Sequence, residues 1–170
     1  ATRLVEQLLT LARSEPGAPA VPMRSLDLAE TVRQSLSGVV ALAAARDVDI
    51  EMLAQASPRA VGDAGEIGVM VRNLVDNAIR YSPRGARIEL RVDVREGAPL
   101  LQVDDSGPGI PQAERERVFD RFYRGATGDE PGTGLGLAIV RGIATRHGAS
   151  VILGDSPLGG LRVTVRFPAP

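Results

Sequence analysis

Cysteine, lysine and tryptophan are all missing from the 170 residues of this chain, and histidine occurs once. Without cysteine there are no disulfides and no thiolate metal sites. A single histidine, His147, cannot build a multi-histidine metal centre. No apolar run approaches the roughly 20 residues that a membrane-crossing helix needs, and no signal-peptide pattern is visible. Charge of one sign is also missing: 20 basic residues face 21 acidic ones, for a formal net charge of -1, and no basic run stands out. A nucleic-acid groove is therefore excluded as the main function. Because every basic residue is arginine, arginine must do any work that lysine does elsewhere, the binding of phosphate included.

What is present suits one globular domain with a short appendage: 44% of residues are hydrophobic, enough for a real core. The chain opens in helical character. "TRLVEQLLTLAR" places Leu4, Leu8 and Leu11 on one face with Val5 and Leu9 beside them. "SEPGAPAVP" then breaks the pattern with three prolines and a glycine. These features predict an organisation of helix at 1–14, linker at 15–24 and main domain at 25–170, within a longer parent protein.

In the main domain, Asp27 and Glu30 have capping-box spacing and predict one helix continuing to about Asp47. "VDIEML" alternates like a strand. Asp63 is placed to cap a helix that runs to Tyr81 and stops at Ser82-Pro83. "ARIELRVDV" and "LLQVDD" read as paired strands, and "QAERERVF" as a short charged helix. "LGLAIVRGIATRHG" is helical with Gly148 as its end, and "SVILGD" with "GLRVTVRF" reads as a closing hairpin. Helices on one side of a mixed, mainly antiparallel sheet give an α+β fold, a two-layer α/β sandwich.

Three stretches carry candidate chemistry. In "RNLVDNAIRYSP", Asn73, Asn77 and the pair Arg80 and Tyr81 share one helix face, although asparagine is a mediocre helix former. Amide oxygens are hard, neutral ligands suited to Mg²⁺, arginine suits phosphate, and tyrosine can lie against a flat ring. In "VDDSGPGIP", a strand ends in carboxylates and turns through two glycines that permit close approach to a ligand. In "GTGLGLAIV", glycines lead into a helix start, where free N–H groups attract phosphate. Leu137 breaks the GxGxxG spacing and no GK[ST] follows, so neither a dinucleotide fold nor a Walker loop is present. Each stretch alone also has a plain structural reading as a polar helix face, a surface turn or a helix entry. His147, at a helix end, reads as structural, with a protonated ring favoured by the helix dipole.

Together and in this order, these blocks resemble the ATP-binding domain of bacterial sensor histidine kinases. "RNLVDNAIRYSP" is similar to the N box, "DDSGPG" to the first glycine box, "VFDRFYRG" to the F box and "GTGLGL" to the second glycine box. The wording is nearest to the quorum-sensing and polymyxin-resistance type of sensor. The resemblance implies a Bergerat-type ATP-binding fold in the superfamily shared with gyrase and heat-shock-protein-90 ATPases. It implies Asp105 as acceptor for the adenine amino group, and Asn73 and Asn77 as holders of Mg²⁺ and the phosphates. It places Arg80 near the phosphates, Tyr81 near the adenine, and Gly107, Gly109 and Ile110 beside the base. Phe122, Arg124, Gly132, Thr133, Gly134, Leu135, Gly136 and Leu137 follow as nucleotide contacts. Phe119 and Phe122 are expected to anchor a lid at about Pro111 to Thr133, with Gly125 to Gly132 as its least ordered part.

The resemblance also explains Asn73. The related ATPases carry a glutamate four residues before the metal-binding asparagine, as the base that activates water. An amide cannot take a proton at neutral pH, so the γ-phosphate is kept for a histidine imidazole. The expected catalytic residues are Asn73, Asn77 and Arg80, and the expected cofactors are ATP and Mg²⁺. The family's phosphoacceptor segment is absent, and the surroundings of His147 do not match it. The expected partners are therefore the parent's dimerisation and phosphoacceptor domain, whose last helix "ATRLVEQLLTLAR" resembles, and a cognate response regulator. The parent is expected to be a membrane-bound homodimer with this part in the cytoplasm. A serine kinase of the anti-sigma-factor type and a degenerate nucleotide-binding or interaction module are the alternatives.

Overall fold

A computed structural model describes residues 2–125 and 132–170. Helix α1 (Thr2–Ser14) leads into a small two-stranded sheet of β1 (Arg24–Asp27) and β3 (Arg59–Gly62). Helices α2 (Leu28–Ser35) and α3 (Val40–Ala45) precede β2 (Asp49–Ala54). The long helix α4 (Ala64–Tyr81) comes next, then the hairpin β4 (Arg87–Arg95) and β5 (Ala98–Asp105). Helix α5 (Gly136–Arg146) and the hairpin β6 (Ser150–Asp155) and β7 (Leu161–Arg166) close the fold. The main sheet has the order β2-β4-β5-β7-β6, with β2 parallel to β4 and every other pair antiparallel. This is the expected α+β sandwich. Among the described residues, no helix is long and apolar enough to cross a membrane.

Period-two alternation sorts the sheet into two faces. Ile88, Leu90, Val92, Leu101, Val103, Val163 and Val165 point to one side and form a single core with Val32, Met70, Leu74 and Ile139 from the helices. The other side carries ion pairs such as Arg162 with Asp104. The tandem aspartates that end β5 are split by the same alternation. Asp104 faces Arg162 on the outer side, and Asp105 turns inward beneath the helices.

Helix α4 forms because its apolar residues repeat at helical spacing, from Ile67 through Met70, Val71, Leu74 and Ala78. Asp63 caps it by accepting from the Glu66 N–H at 2.8 Å. Ser82 ends it, because Pro83 removes the donor for another turn.

Four expectations change. The helix starting at Asp27 keeps its cap, with Glu30 N donating to Asp27 Oδ1 at 3.0 Å, but splits into α2, a 3₁₀ turn at Leu36–Val39 and α3. Ser35 and Ser37 bond back to the carbonyls of Thr31 and Gln34 there. Arg72 of α4 also crosses at Gly38, where a Cβ would lie 2.9 Å from Arg72 Cδ. "QAERERVF" is two 3₁₀ turns, Gln112–Glu114 and Arg117–Phe119, since its charges leave no apolar stripe to hold a longer helix down. β1 and β3 were not expected; at four residues each they are too short for a period to stand out in the sequence. In α1 only Leu11 and Ser14 are buried, and Leu4 and Leu8 face outward with Val5 and Leu9.

Candidate functional site

A cleft of about 260 Å³ opens between α4, the end of β5 and the entry to α5. One end is built around Asp105. Its side chain is buried, and Oδ1 accepts from the N–H groups of Gly107 and Leu161, both at 3.0 Å. Burial raises the Asp105 pKa above the ordinary carboxylate value, and the two backbone donors oppose that rise. Oδ2 has no protein partner among the described residues and belongs to a residue that lines the cleft. The arrangement is a carboxylate fixed through one oxygen and free to accept a ligand N–H through the other. Gly160 makes room for it, because a Cβ there would lie 2.1 Å from Oδ1.

The other end is built by α4 facing the first turn of α5. A Cβ placed on Gly136 would lie 3.6 Å from Asn73 Oδ1 and 3.8 Å from Asn77 Oδ1, so both amide oxygens converge on the start of α5. Asn73 is oriented by its Nδ2, which donates to the Val69 carbonyl at 2.8 Å. Leu135 precedes α5 with no side-chain cap, so the first-turn N–H groups are left without that partner where Gly136 and Leu137 line the cleft. Two hard amide oxygens and an uncapped helix start suit a divalent cation with anionic oxygens around it. No cluster of three acidic or histidine ligands exists among the described residues, so such an ion would need a ligand to complete its shell.

Most of the expected site residues line this cleft. Asn73, Asn77, Arg80, Tyr81 and Asp105 do, with Gly109 and Ile110 beside the carboxylate end. Arg124, Gly132, Thr133, Gly134, Gly136 and Leu137 line the remaining wall. Three do not. Gly107 acts from behind, as the N–H that holds Asp105. Leu135 is fully buried in the core. Phe122 is exposed rather than anchoring, with φ 64°, and its N–H bonds to the Gly134 carbonyl at 3.0 Å. Phe119 is buried, with the Arg141 guanidinium 3.9 Å from its ring centre. Arg80 reaches the cleft with its Nε held by Asp76 at 3.1 and 3.2 Å. Most of the part of the lid expected to be least ordered, Gly125 to Gly132, lies outside the described residues.

The cleft also uses residues that sequence reasoning passed over. Arg3 and Gln7 of α1 line it, Arg3 in an ion pair with Asp76 and Gln7 accepting from the Thr133 hydroxyl at 2.5 Å. Glu114 and Tyr123 form another wall, with the Tyr123 hydroxyl donating to Glu114 at 2.7 Å, which holds that hydroxyl protonated above its ordinary pKa. The Gly-Gly pair before β7 was the available signal for Gly160. Nothing in the sequence marked Arg3 or Gln7.

His147 is structural, for a reason other than the helix dipole. Its ring is buried, Nε2 accepts from the Asp63 N–H at 3.1 Å and Nδ1 faces the Ile143 carbonyl at 2.8 Å. Nε2 is the acceptor, which leaves Nδ1 as the donor to the Ile143 carbonyl. It does not line the cleft.

The family described as histidine kinase-, DNA gyrase B- and HSP90-like ATPase matches residues 62–170. The sensor protein QseC of Salmonella typhi is 35% identical over 170 residues, which cover 98% of this chain and 36% of that protein. The sensor protein kinase PmrB of Pseudomonas aeruginosa is 38% identical over 167 residues, covering 97% of this chain and 35% of its own length. The chain thus spans about a third of the length of the curated relatives it matches. Full-length ShkA, solved in complex with AMPPNP, superimposes with a TM-score of 0.82 at 26% identity, covering 98% of this chain and 35% of that one.

Proposed function

The chain belongs to the histidine kinase-, DNA gyrase B- and HSP90-like ATPase family, and from that premise we propose that it binds ATP with Mg²⁺ and transfers the γ-phosphate to a histidine on a dimerisation domain of its parent protein. The phosphohistidine then serves an aspartate of a response regulator. The parent is a membrane-bound homodimeric sensor kinase, with α1 as the end of its dimerisation helix and 15–24 as the linker to the ATP-binding domain. The relatives' names and the nucleotide analogue in ShkA support this reading.

One observation carries it: the amide oxygens of Asn73 and Asn77 converge on the uncapped start of α5, at one end of a cleft whose other end holds the buried Asp105. Asp105 accepts from the adenine amino group through Oδ2, and Ile110 and Tyr81 flank the base. Asn73 and Asn77 hold the ion, and the N–H groups of α5 with Arg80 and Arg124 hold phosphate oxygens. When bound between Asn73 and Asn77, Mg²⁺ would supply charge neutralisation to the phosphates. The incoming imidazole nitrogen forms the new N–P bond, the β–γ P–O bond breaks, and ADP leaves with that electron pair. Position 73 offers water no base, since an amide oxygen takes no proton at neutral pH, and positioning does the catalytic work.

The test is incubation of the chain with γ-labelled ATP and Mg²⁺, alone and with the separately supplied dimerisation domain of the parent. Label appears on that domain, is lost in Asn77→Ala, and does not appear on His147. Labelling of His147, or rapid phosphate release by the chain alone, refutes the assignment.

A further inference from the structure

Helix α1 meets the domain by an unusual face. Arg3, Gln7, Leu11 and Ser14 form a stripe at three- and four-residue spacing, and each touches the domain. Leu11 is buried, and Ser14 lies so close to α5 that a Cβ on Gly142 would sit 2.6 Å from its Oγ. One turn at a time toward its start, the helix then reaches Thr133 through Gln7 and Asp76 through Arg3. Its other large apolar residues, Leu4, Val5, Leu8 and Leu9, remain exposed. The docking is therefore not driven by the most apolar face. It brings two polar side chains into the cleft, at the end where Asn77 neighbours Asp76 and Thr133 precedes α5.

Arg3 is suited to more than an ion pair. It meets Asp76 through one terminal nitrogen, on an oxygen that also accepts from Arg80 Nε. Its Nε and its other terminal nitrogen have no partner among the described residues, and the side chain is about half exposed. A triphosphate carries more negative charge than one divalent ion neutralises, and a guanidinium fork matches phosphate oxygens. Gln7 holds α1 in the register that keeps Arg3 at the cleft mouth.

We propose that Arg3 is a phosphate-binding residue of the nucleotide site, contributed by α1 from outside the segment that matches the family. The proposal rests on the nucleotide reading above. It makes α1 part of the binding site, so the cleft is complete only while α1 is docked.

Calorimetric titration of the 170-residue chain with Mg·ATP, Mg·ADP and adenosine tests it. Arg3→Gln should weaken Mg·ATP about two- to fivefold, as expected for a partly exposed charged contact. It should weaken Mg·ADP less and leave adenosine unchanged, and Arg3→Lys should recover part of the loss. The same substitution in an Asp76→Asn background should still weaken Mg·ATP. Unchanged ATP affinity in Arg3→Gln, or an equal loss for adenosine, overturns the proposal. So does a loss that vanishes in the Asp76→Asn background, which would make Arg3 only the counter-ion of Asp76. If Asp105→Ala abolishes binding while Arg3→Gln binds normally, only the Arg3 assignment falls. If the unaltered chain takes up no Mg·ATP, both fall.

Discussion

Gly160 presses directly on Asp105. Its N–H donates to the Asp105 carbonyl at 3.1 Å, and a Cβ added to it would lie 2.1 Å from Asp105 Oδ1 and 2.6 Å from the Gly107 nitrogen. The turn into β7 and the end of β5 thus define the carboxylate's position together, with the Leu161 N–H completing the clamp.

Gly160→Ala should therefore act as an adenine-site mutation made from behind. Two of the three atoms nearest the new methyl are backbone, so a rotamer change cannot relieve the clash. The expected cost is about 1–3 kcal/mol of stability, in the range for overpacking a well-filled site. A loss of ATP affinity of at least tenfold should accompany it. Urea denaturation and ATP titration measure the two effects. Near-normal values in both would show that the turn yields freely and that Asp105 is not clamped.

Asp105 also gives a pH signature. Burial raises its folded-state pKa above the ordinary value of 3.8. A raised pKa contributes stability that is fully present below the unfolded value and is lost as pH rises through the folded value. Stability relative to Asp105→Asn should therefore decline as pH rises above 3.8. Nucleotide affinity should move the other way, because the ionised carboxylate is the better acceptor for the adenine amino group. Titrating both properties on the two proteins checks the signs. A rise in stability over this window would show that burial does not raise the Asp105 carboxyl, and an affinity that fails to rise would show that Asp105 does not meet the base.

Different parts of this protein were legible in the sequence to different degrees. Helix α4 was legible because its core face, its cap at Asp63 and its stop at Pro83 are all local. The choice between Asp104 and Asp105 follows from strand alternation once β5 is placed, and the inward residue is the one that the family resemblance selects. The split of α2 from α3 was hidden, because Arg72, the side chain that crosses at Gly38, comes from a helix far along the chain. β1 and β3 were hidden because each is specified by the other rather than by its own pattern. The docking face of α1 was not legible, for an energetic reason. Periodicity marks the apolar side of a helix, while this helix meets its domain through Arg3, Gln7 and only one leucine.

Asn73→Glu tests whether position 73 governs the fate of the γ-phosphate. Asn73 is held by its own helix through the bond to Val69, and its oxygen points toward the start of α5. A glutamate cannot make the bond to Val69, since a carboxylate has no proton to donate. Its longer side chain is then free to extend toward Gly136, where the phosphates are proposed to lie. There it can accept a proton from water, which the amide cannot do. Its charge also repels the phosphates. The expected outcome is weaker Mg·ATP binding together with faster phosphate release per bound nucleotide, and slower transfer to the dimerisation domain. Asn73→Asp is the control: it carries the same charge on a shorter arm, so it should weaken binding without the gain in hydrolysis. Phosphate-release assays at saturating ATP separate the two effects. If Asn73→Glu changes neither affinity nor release, Asn73 does not face the nucleotide, and the protection of ATP from water must come from elsewhere in the cleft.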